Sequence, residues 1–218
     1  MPHFRPATAI PLSLALATLL ALAGCKIIKT PTAEEAAEAA SAGFNPARQV
    51  AEIWDSKVIP FLEPRAGPFQ DVSALAKSDL DAAGAKYGHK EKEGSAPWTF
   101  AAKVSGTIIK AETASRAGYL DTDVDGDGKS DVRIQIGPVI KGTAIRDSLD
   151  FVNFNEFKNQ IQWAEFGKAF NVHVNGLTLE KLPREGLEGK KVEALGAYPL
   201  PSSGQPALLT PATISIGG

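Results

Sequence analysis

Trp98-Thr99-Phe100-Ala101-Ala102-Lys103-Val104-Ser105-Gly106-Thr107-Ile108-Ile109 is the stretch whose reading decides the fold. Trp98, Phe100, Ala102 and Val104 alternate with polar or small residues, the period of a strand with one face in a core. Gly106 interrupts a run that continues through Ile108 and Ile109, as a glycine bulge does in a long bent strand.

Downstream the same period returns. Tyr119 to Asp123 reads as a short second strand. Val132, Ile134 and Ile136 alternate with Arg133 and Gln135 to make a third. A helical stretch follows, with Phe154, Phe157, Ile161, Ala164 and Phe166 toward a core. Val192 to Tyr198 and Leu208 to Ile216 read as two more strands, and Pro211 puts the last at an edge or a bulge. Strand-strand-strand-helix-strand-strand is the order of an OB-fold, a five-stranded Greek-key barrel. The helix is expected to plug one barrel end. The expected class is therefore α+β, mainly β: an OB-fold-like five-stranded barrel over 98–218 with an N-terminal helical segment. A generic α+β sheet with helices on one face is the alternative. Asn175-Gly176 either turns a hairpin or ends the helix.

Upstream, residues 45–97 read as a helical subdomain. Asn45-Pro46 is a cap followed by proline at the first helical position. Val50, Ile53, Trp54, Val58 and Phe61 then form one apolar stripe, which Pro60 is expected to end. A second helix is expected from Ser73 to Ala83, with Leu75 and Leu80 inward. His89 to Glu93 is a charge run read as a solvated turn. Residues 25–44 read as a tether. Thr32 and Glu35 are spaced as a capping box, but Ala33 to Ala42 has no large side chain to bury.

The first 24 residues read as an address. A short positive stretch with His3 and Arg5 precedes an apolar run, Leu12 to Leu22, too short for a spanning helix. It ends Leu22-Ala23-Gly24-Cys25, which looks like a lipobox, the recognition site of the bacterial lipoprotein pathway. Residues 1–24 are then a lipoprotein signal peptide, and Cys25 carries covalent lipid that holds the chain to a membrane. The expected location is the periplasmic face of the inner or outer membrane. A buried structural cysteine is the alternative, but Cys25 is the one cysteine of the chain, so nothing else can pair with it.

The same count excludes an intramolecular disulfide and a thiolate zinc site. His3, His89 and His173 do not cluster in sequence. The 218 residues are 44% hydrophobic and 22% charged, enough for a core without staples. The formal net charge of −2 argues against nucleic acid as a partner, since that affinity comes from clustered Lys and Arg.

The sharpest chemical signal is Asp123-Val124-Asp125-Gly126-Asp127-Gly128-Lys129-Ser130-Asp131. Counted from Asp123, carboxylates fall at positions one, three, five and nine, with Gly128 at the turn and the Lys129 carbonyl at position seven. This is the pattern of a calcium loop. Asp123, Asp125, Asp127, Lys129 and Asp131 are the expected ligands of a structural Ca²⁺ that pins strands two and three. Position twelve is Ile134, not Glu, so the usual bidentate ligand is missing. The other reading is a solvated Asp/Gly-rich hairpin turn.

After the third strand comes Gly137-Pro138-Val139-Ile140-Lys141-Gly142-Thr143-Ala144-Ile145-Arg146-Asp147, then Phe151-Val152-Asn153-Phe154 and Phe157-Lys158-Asn159-Gln160-Ile161. Here the chain resembles the domain of unknown function 2291 family of predicted periplasmic lipoproteins. Members show a similar Gly-Pro-Val-Ile, Gly-Thr-Ala, Arg-Asp and Asn-Gln-Ile series behind an Asp/Gly-rich strand turn. The likeness runs from the Asn45 helix onward. The family's genes often sit beside those of sugar ABC transporters, so the resemblance implies an accessory role beside such a transporter or its solute-binding protein. It implies no chemistry.

On its own terms, this segment offers Arg146, Asp147, Asn159, Gln160 and Trp163 as ligand-binding candidates. Planar amides and an Arg/Asp pair suit a small sugar, and an indole can stack on its ring. The alternative is structural: Arg146 and Asp147 pair to fix the loop, and the amides cap backbone groups. The sequence shows no nucleophile elbow, zinc motif or phosphate loop. The functions left are a lipid-anchored accessory or binding protein, a cell-envelope structural protein with a calcium loop, or a carbohydrate-active enzyme. The last requires carboxylates such as Glu156 and Glu165 to converge.

Overall fold

The computed structural model describes residues 43–91 and 96–217. The signal peptide, Cys25 and most of the tether lie outside the described residues, as do 92–95 of the polar linker.

Asn45 caps the first helix, α1 (Pro46–Ile53), by accepting from the Arg48 amide at 3.0 Å. The chain then widens into a π-turn, Trp54–Val58, and resumes as α2, Ile59–Arg65. Pro60 therefore does not end the helix. In the π-turn the Ile59 amide reaches back five residues to the Trp54 carbonyl. This widening relieves the clash a proline ring makes with the carbonyl four residues back. Val50, Trp54, Val58 and Leu62 are the buried stripe, while Phe61 is half-buried against Phe151.

The second expected helix is two: α3 (Phe69–Ser78) and α4 (Leu80–Tyr87). Asp79 breaks them in extended backbone, and its carboxylate caps α4 by accepting from the Ala82 amide at 2.9 Å. The break turns Phe69, Val72 and Ala83 inward and leaves Leu75 and Leu80 half-buried. Two short bridges, β1 (Gly67–Pro68) and β2 (Gly88–His89), pair with the long strand β3 (Thr99–Glu112).

Five strands close the barrel: β3, β4 (Ala117–Asp123), β5 (Val132–Pro138), β6 (Lys191–Pro199) and β7 (Ala207–Ile216). The order is β3-β4-β5-β7-β6, closed by β3 on β6, with β5 and β7 parallel. This is the OB-fold arrangement. β3 pairs with β6 from Thr99 to Thr107, then with β4 from Thr107 onward. Gly106 sits at this handover, where a Cβ would lie 2.4 Å from the Asp123 carbonyl oxygen. The bulge itself falls two residues later, between Ile108 and Lys110. Pro211 lies opposite Gly196 at a register shift, the bulge its missing N–H requires.

Two cores result. Phe100, Leu120, Ile134, Ile136, Tyr198 and Leu209 fill the barrel, together with Phe69, Val72 and Ala83 of α3 and α4. The second core lies between α1, the long helix α6 (Gln160–Leu177) and barrel residues Ala101, Leu195, Ala197 and Ala212. So α6 does not plug the barrel, because its Phe166, Phe170 and Val174 belong to the outer core. α6 also begins later than the apolar pattern implies. Phe154 lies in a single 3₁₀ turn and Phe157 follows it, with Asn159 as the helix cap. Asn175-Gly176 makes no hairpin; the helix runs through it to Leu177. Among the described residues no helix is long and apolar enough to cross a membrane.

Candidate functional site

A four-residue helix, α5 (Ala144–Asp147), carries Arg146 and Asp147 between β5 and α6. Arg146 is 7% exposed, so its charge needs partners. Its Nε donates to Asp147 Oδ1 at 2.8 Å, and Nη2 donates to the same carboxylate. Nη1 donates to the Trp163 carbonyl at 2.8 Å and Nη2 to Thr143 Oγ1 at 3.0 Å. Thr143 Oγ1 in turn donates to Asp147 Oδ2 at 2.6 Å. The guanidinium carbon lies over the Trp163 ring, 3.8 Å from its centroid. Gly167 makes this possible: a Cβ there would lie 2.7 Å from Arg146 Nη1 and 2.5 Å from Thr143 Cγ2.

This cluster forms one wall of a cavity of about 590 Å³, within the range of small-molecule sites. Asp147, Gln160, Trp163, Phe154 and Glu91 line it. Four of the five candidates thus come together, but in two roles. Arg146 is engaged within the protein, and one face of Trp163 is taken by it. Gln160 is exposed, and Asp147 keeps about a third of its side chain exposed. Asn159 stands apart: it caps α6 by accepting from the Gln162 amide at 3.0 Å. Phe154 belongs to the same segment, whereas Glu91 and Pro199 of the lining come from distant chain positions, and no local pattern marks them. Glu156 lines a different cleft, beside Phe44 and Phe157, while Glu165 is exposed on α6. Neither lines the Arg146 cavity.

The aspartate loop joins β4 to β5. Gly126 and Gly128, with φ of +86° and +81°, supply the left-handed turns it requires. Their amides donate to Asp123 Oδ1 at 2.7 Å and Oδ2 at 2.9 Å. Those bonds, Gly128's foremost, hold the Asp123 carboxyl below the usual carboxylate range. The Val124 amide donates to Asp131 Oδ2 at 2.9 Å. Carboxylate oxygens of Asp123, Asp125 and Asp131 lie within 4.8 Å of one another. An ion with oxygen ligands at about 2.3–2.6 Å spans about 5 Å, so the spacing suits calcium. Asp127 stands outside this trio. It accepts from Lys129 Nζ at 2.9 Å and from the Lys129 amide at 2.8 Å, which lowers its pKa and raises that of Lys129.

A closed five-stranded barrel with a helical outer layer and a lined surface cavity defines an OB-fold protein with a small-molecule-sized site. The solved structure of an OB-fold protein from Thermotoga maritima is similar: 18% identical, with a TM-score of 0.60, over 80% of this chain and 99% of that one. Comparison with curated proteins finds no match. Residues 15–215 match the family model for predicted periplasmic lipoproteins, domain of unknown function 2291. The chain belongs to that family, which places it in the cell envelope as a lipid-anchored protein.

Proposed function

We propose that this protein is a non-catalytic binding module of the cell envelope, anchored through lipid on Cys25, that takes a small sugar in the Arg146 cavity. The observation that carries the reading is the cavity itself. Its lining combines an exposed amide, a partly exposed carboxylate and two aromatic rings around a site of about 590 Å³. Such groups hold hydroxyls and the apolar face of a sugar. Arg146 acts here as scaffold: its bonds to Asp147, Thr143 and Trp163 preset the wall and cut the ordering cost of binding. In this role the module serves a sugar ABC transporter or its solute-binding protein.

The test is a thermal-shift screen of monosaccharides on the mature chain and on Gln160→Ala, which removes an exposed group. A sugar that raises the melting temperature of the first and less of the second supports the reading. No shift with any sugar refutes it. Mass spectrometry of protein from its own cells tests the anchor, since an unacylated Cys25 thiol behind an intact Met1 end refutes it.

A second reading concerns the Asp123, Asp125, Asp131 trio, whose spacing supports a structural calcium ion fastening β4 to β5. Asp123→Asn is expected to abolish any calcium-dependent rise in melting temperature. Equal melting in calcium and in chelator refutes it.

A further inference from the structure

The Arg146 cavity is the first of three hollows in a row. It shares Asp147 and Pro199 with a neighbour of about 230 Å³. That one shares Lys141 and Leu208 with a third, of about 180 Å³, beside Tyr119. Strand register explains the alignment. Pro199 ends β6, Leu208 of β7 pairs with Arg133 of β5, and Gln135 of β5 pairs with Tyr119 of β4. The row therefore crosses neighbouring strands, each step about 4.8 Å. Each outer hollow is smaller than the roughly 300 Å³ at which a pocket holds a ligand alone. They make sense as extensions of the first.

The walls are preset and almost free of unmatched charge. Gln135 is 3% exposed and uses both ends of its amide. It accepts from the Lys141 amide at 2.7 Å, and donates to the Lys141 carbonyl at 3.1 Å and to Thr210 Oγ1 at 2.8 Å. This fixes the Lys141 segment as a wall just where β7 stops pairing with β5. It also fills the seam that a peptide strand would need for pairing. At the far end Arg133 lies 3.7 Å over the Tyr119 ring centroid, and its Nε and Nη2 donate to Asp121 at 2.8 and 3.1 Å. Arg133 is thus matched by Asp121 as Arg146 is by Asp147. Lys141 in the middle is the charge left over among the described lining residues, since Glu91 at one end lies 4.0 Å from His89 Nε2.

We infer that the row is a binding cleft for a neutral oligosaccharide, its first unit in the Arg146 cavity and its later units over Lys141 and Tyr119. A polyanion has no cluster of free cations to meet, and a single sugar leaves two hollows unused. The inference rests on the sugar-binding reading above and extends it to chain length.

Titration calorimetry of the mature chain with gluco-, manno- and chito-oligosaccharides of one to four units tests it. In one series affinity rises about tenfold or more from one unit to three, roughly 1.4 kcal/mol. Gln205 is exposed and lines the third hollow. Gln205→Trp, with an unchanged melting curve, returns the trisaccharide to monosaccharide affinity, whereas Gln160→Ala weakens every length alike. Binding that does not change with length overturns the extended cleft and leaves the sugar site standing. Binding of no saccharide overturns both, and tighter binding of a sulfated glycan than of its neutral counterpart overturns the neutral class.

Discussion

Helix α6 contains two glycines in opposite surroundings, and replacing each with alanine isolates what the Arg146 cluster demands. In a helix interior alanine is favoured over glycine by about 1 kcal/mol. At Gly176 an added methyl meets nothing within 4 Å, so Gly176→Ala is expected to stabilise the protein by about 0.5–1 kcal/mol. At Gly167 the same methyl meets Thr143 Cγ2 at 2.5 Å and Arg146 Nη1 at 2.7 Å. The guanidinium cannot swing aside cheaply, because bonds to Asp147, Thr143 and Trp163 hold it. Overpacking of this kind costs about 1–3 kcal/mol, which the helix gain offsets in part. The two variants should therefore separate by about 1–3 kcal/mol, Gly167→Ala being the less stable. In a chain of this size that is a gap of several degrees in melting temperature, at about 2–4 °C per kcal/mol. Urea unfolding of both variants beside the parent, by circular dichroism, measures the separation. If Gly167→Ala is stabilised as much as Gly176→Ala, the wedged guanidinium is refuted.

Arg146→Lys keeps the charge but loses the planar fork, so the Trp163 carbonyl and Thr143 cannot both be satisfied. Loss of about 2 kcal/mol in urea unfolding is expected, and a change below 0.5 kcal/mol would contradict the network. Burial lowers the pKa of His173, whose ring packs 4.7 Å from that of Trp54. A depressed folded-state pKa means protonation favours unfolding, so stability present above about pH 6.5 falls as pH drops through the folded value. A proton NMR midpoint for His173 at or above 6.5 would contradict this. Asp123 follows the same sign at lower pH: its contribution is present above the usual carboxylate range and is lost as pH falls through its depressed value. An Asp123 carbon-13 titration midpoint at or above 3.8 would show that the Gly126 and Gly128 amides do not hold the anion.

The strands were legible because large apolar residues recur at every second position of β3 and β5, although the second core buries Ala101, Leu195 and Ala197 on the other face, so burial itself does not alternate. Helix boundaries were less so. Phe154 and Phe157 fit a helical stripe, yet Asn159 caps the helix after them, since a side-chain bond to the Gln162 amide outweighs apolar spacing. Pro60 reads as a stop because nothing local announces the π-turn that accommodates it. At the site, Arg146, Asp147, Gln160 and Trp163 were readable as one polar segment. Glu91 and Pro199 were not, because only the pairing of β2 and of β6 with the start of β3 brings them there. The aspartate loop was legible as a turn, but the turning of Asp127 toward Lys129 depends on backbone geometry that spacing does not encode.

The handover of β3 from β6 to β4 makes one strand the shared spine of the sheet, and β7 is the keystone slotted between β5 and β6. Residues 207–216 are therefore needed before the circle can shut, and the β3–β6 seam joins segments about ninety positions apart. Closing so large a loop carries an entropic cost that the strand pairing must offset. A chain that stops short of Ala207 leaves the facing edges of β5 and β6 unpaired, and among the described residues no other strand stands ready to bridge them.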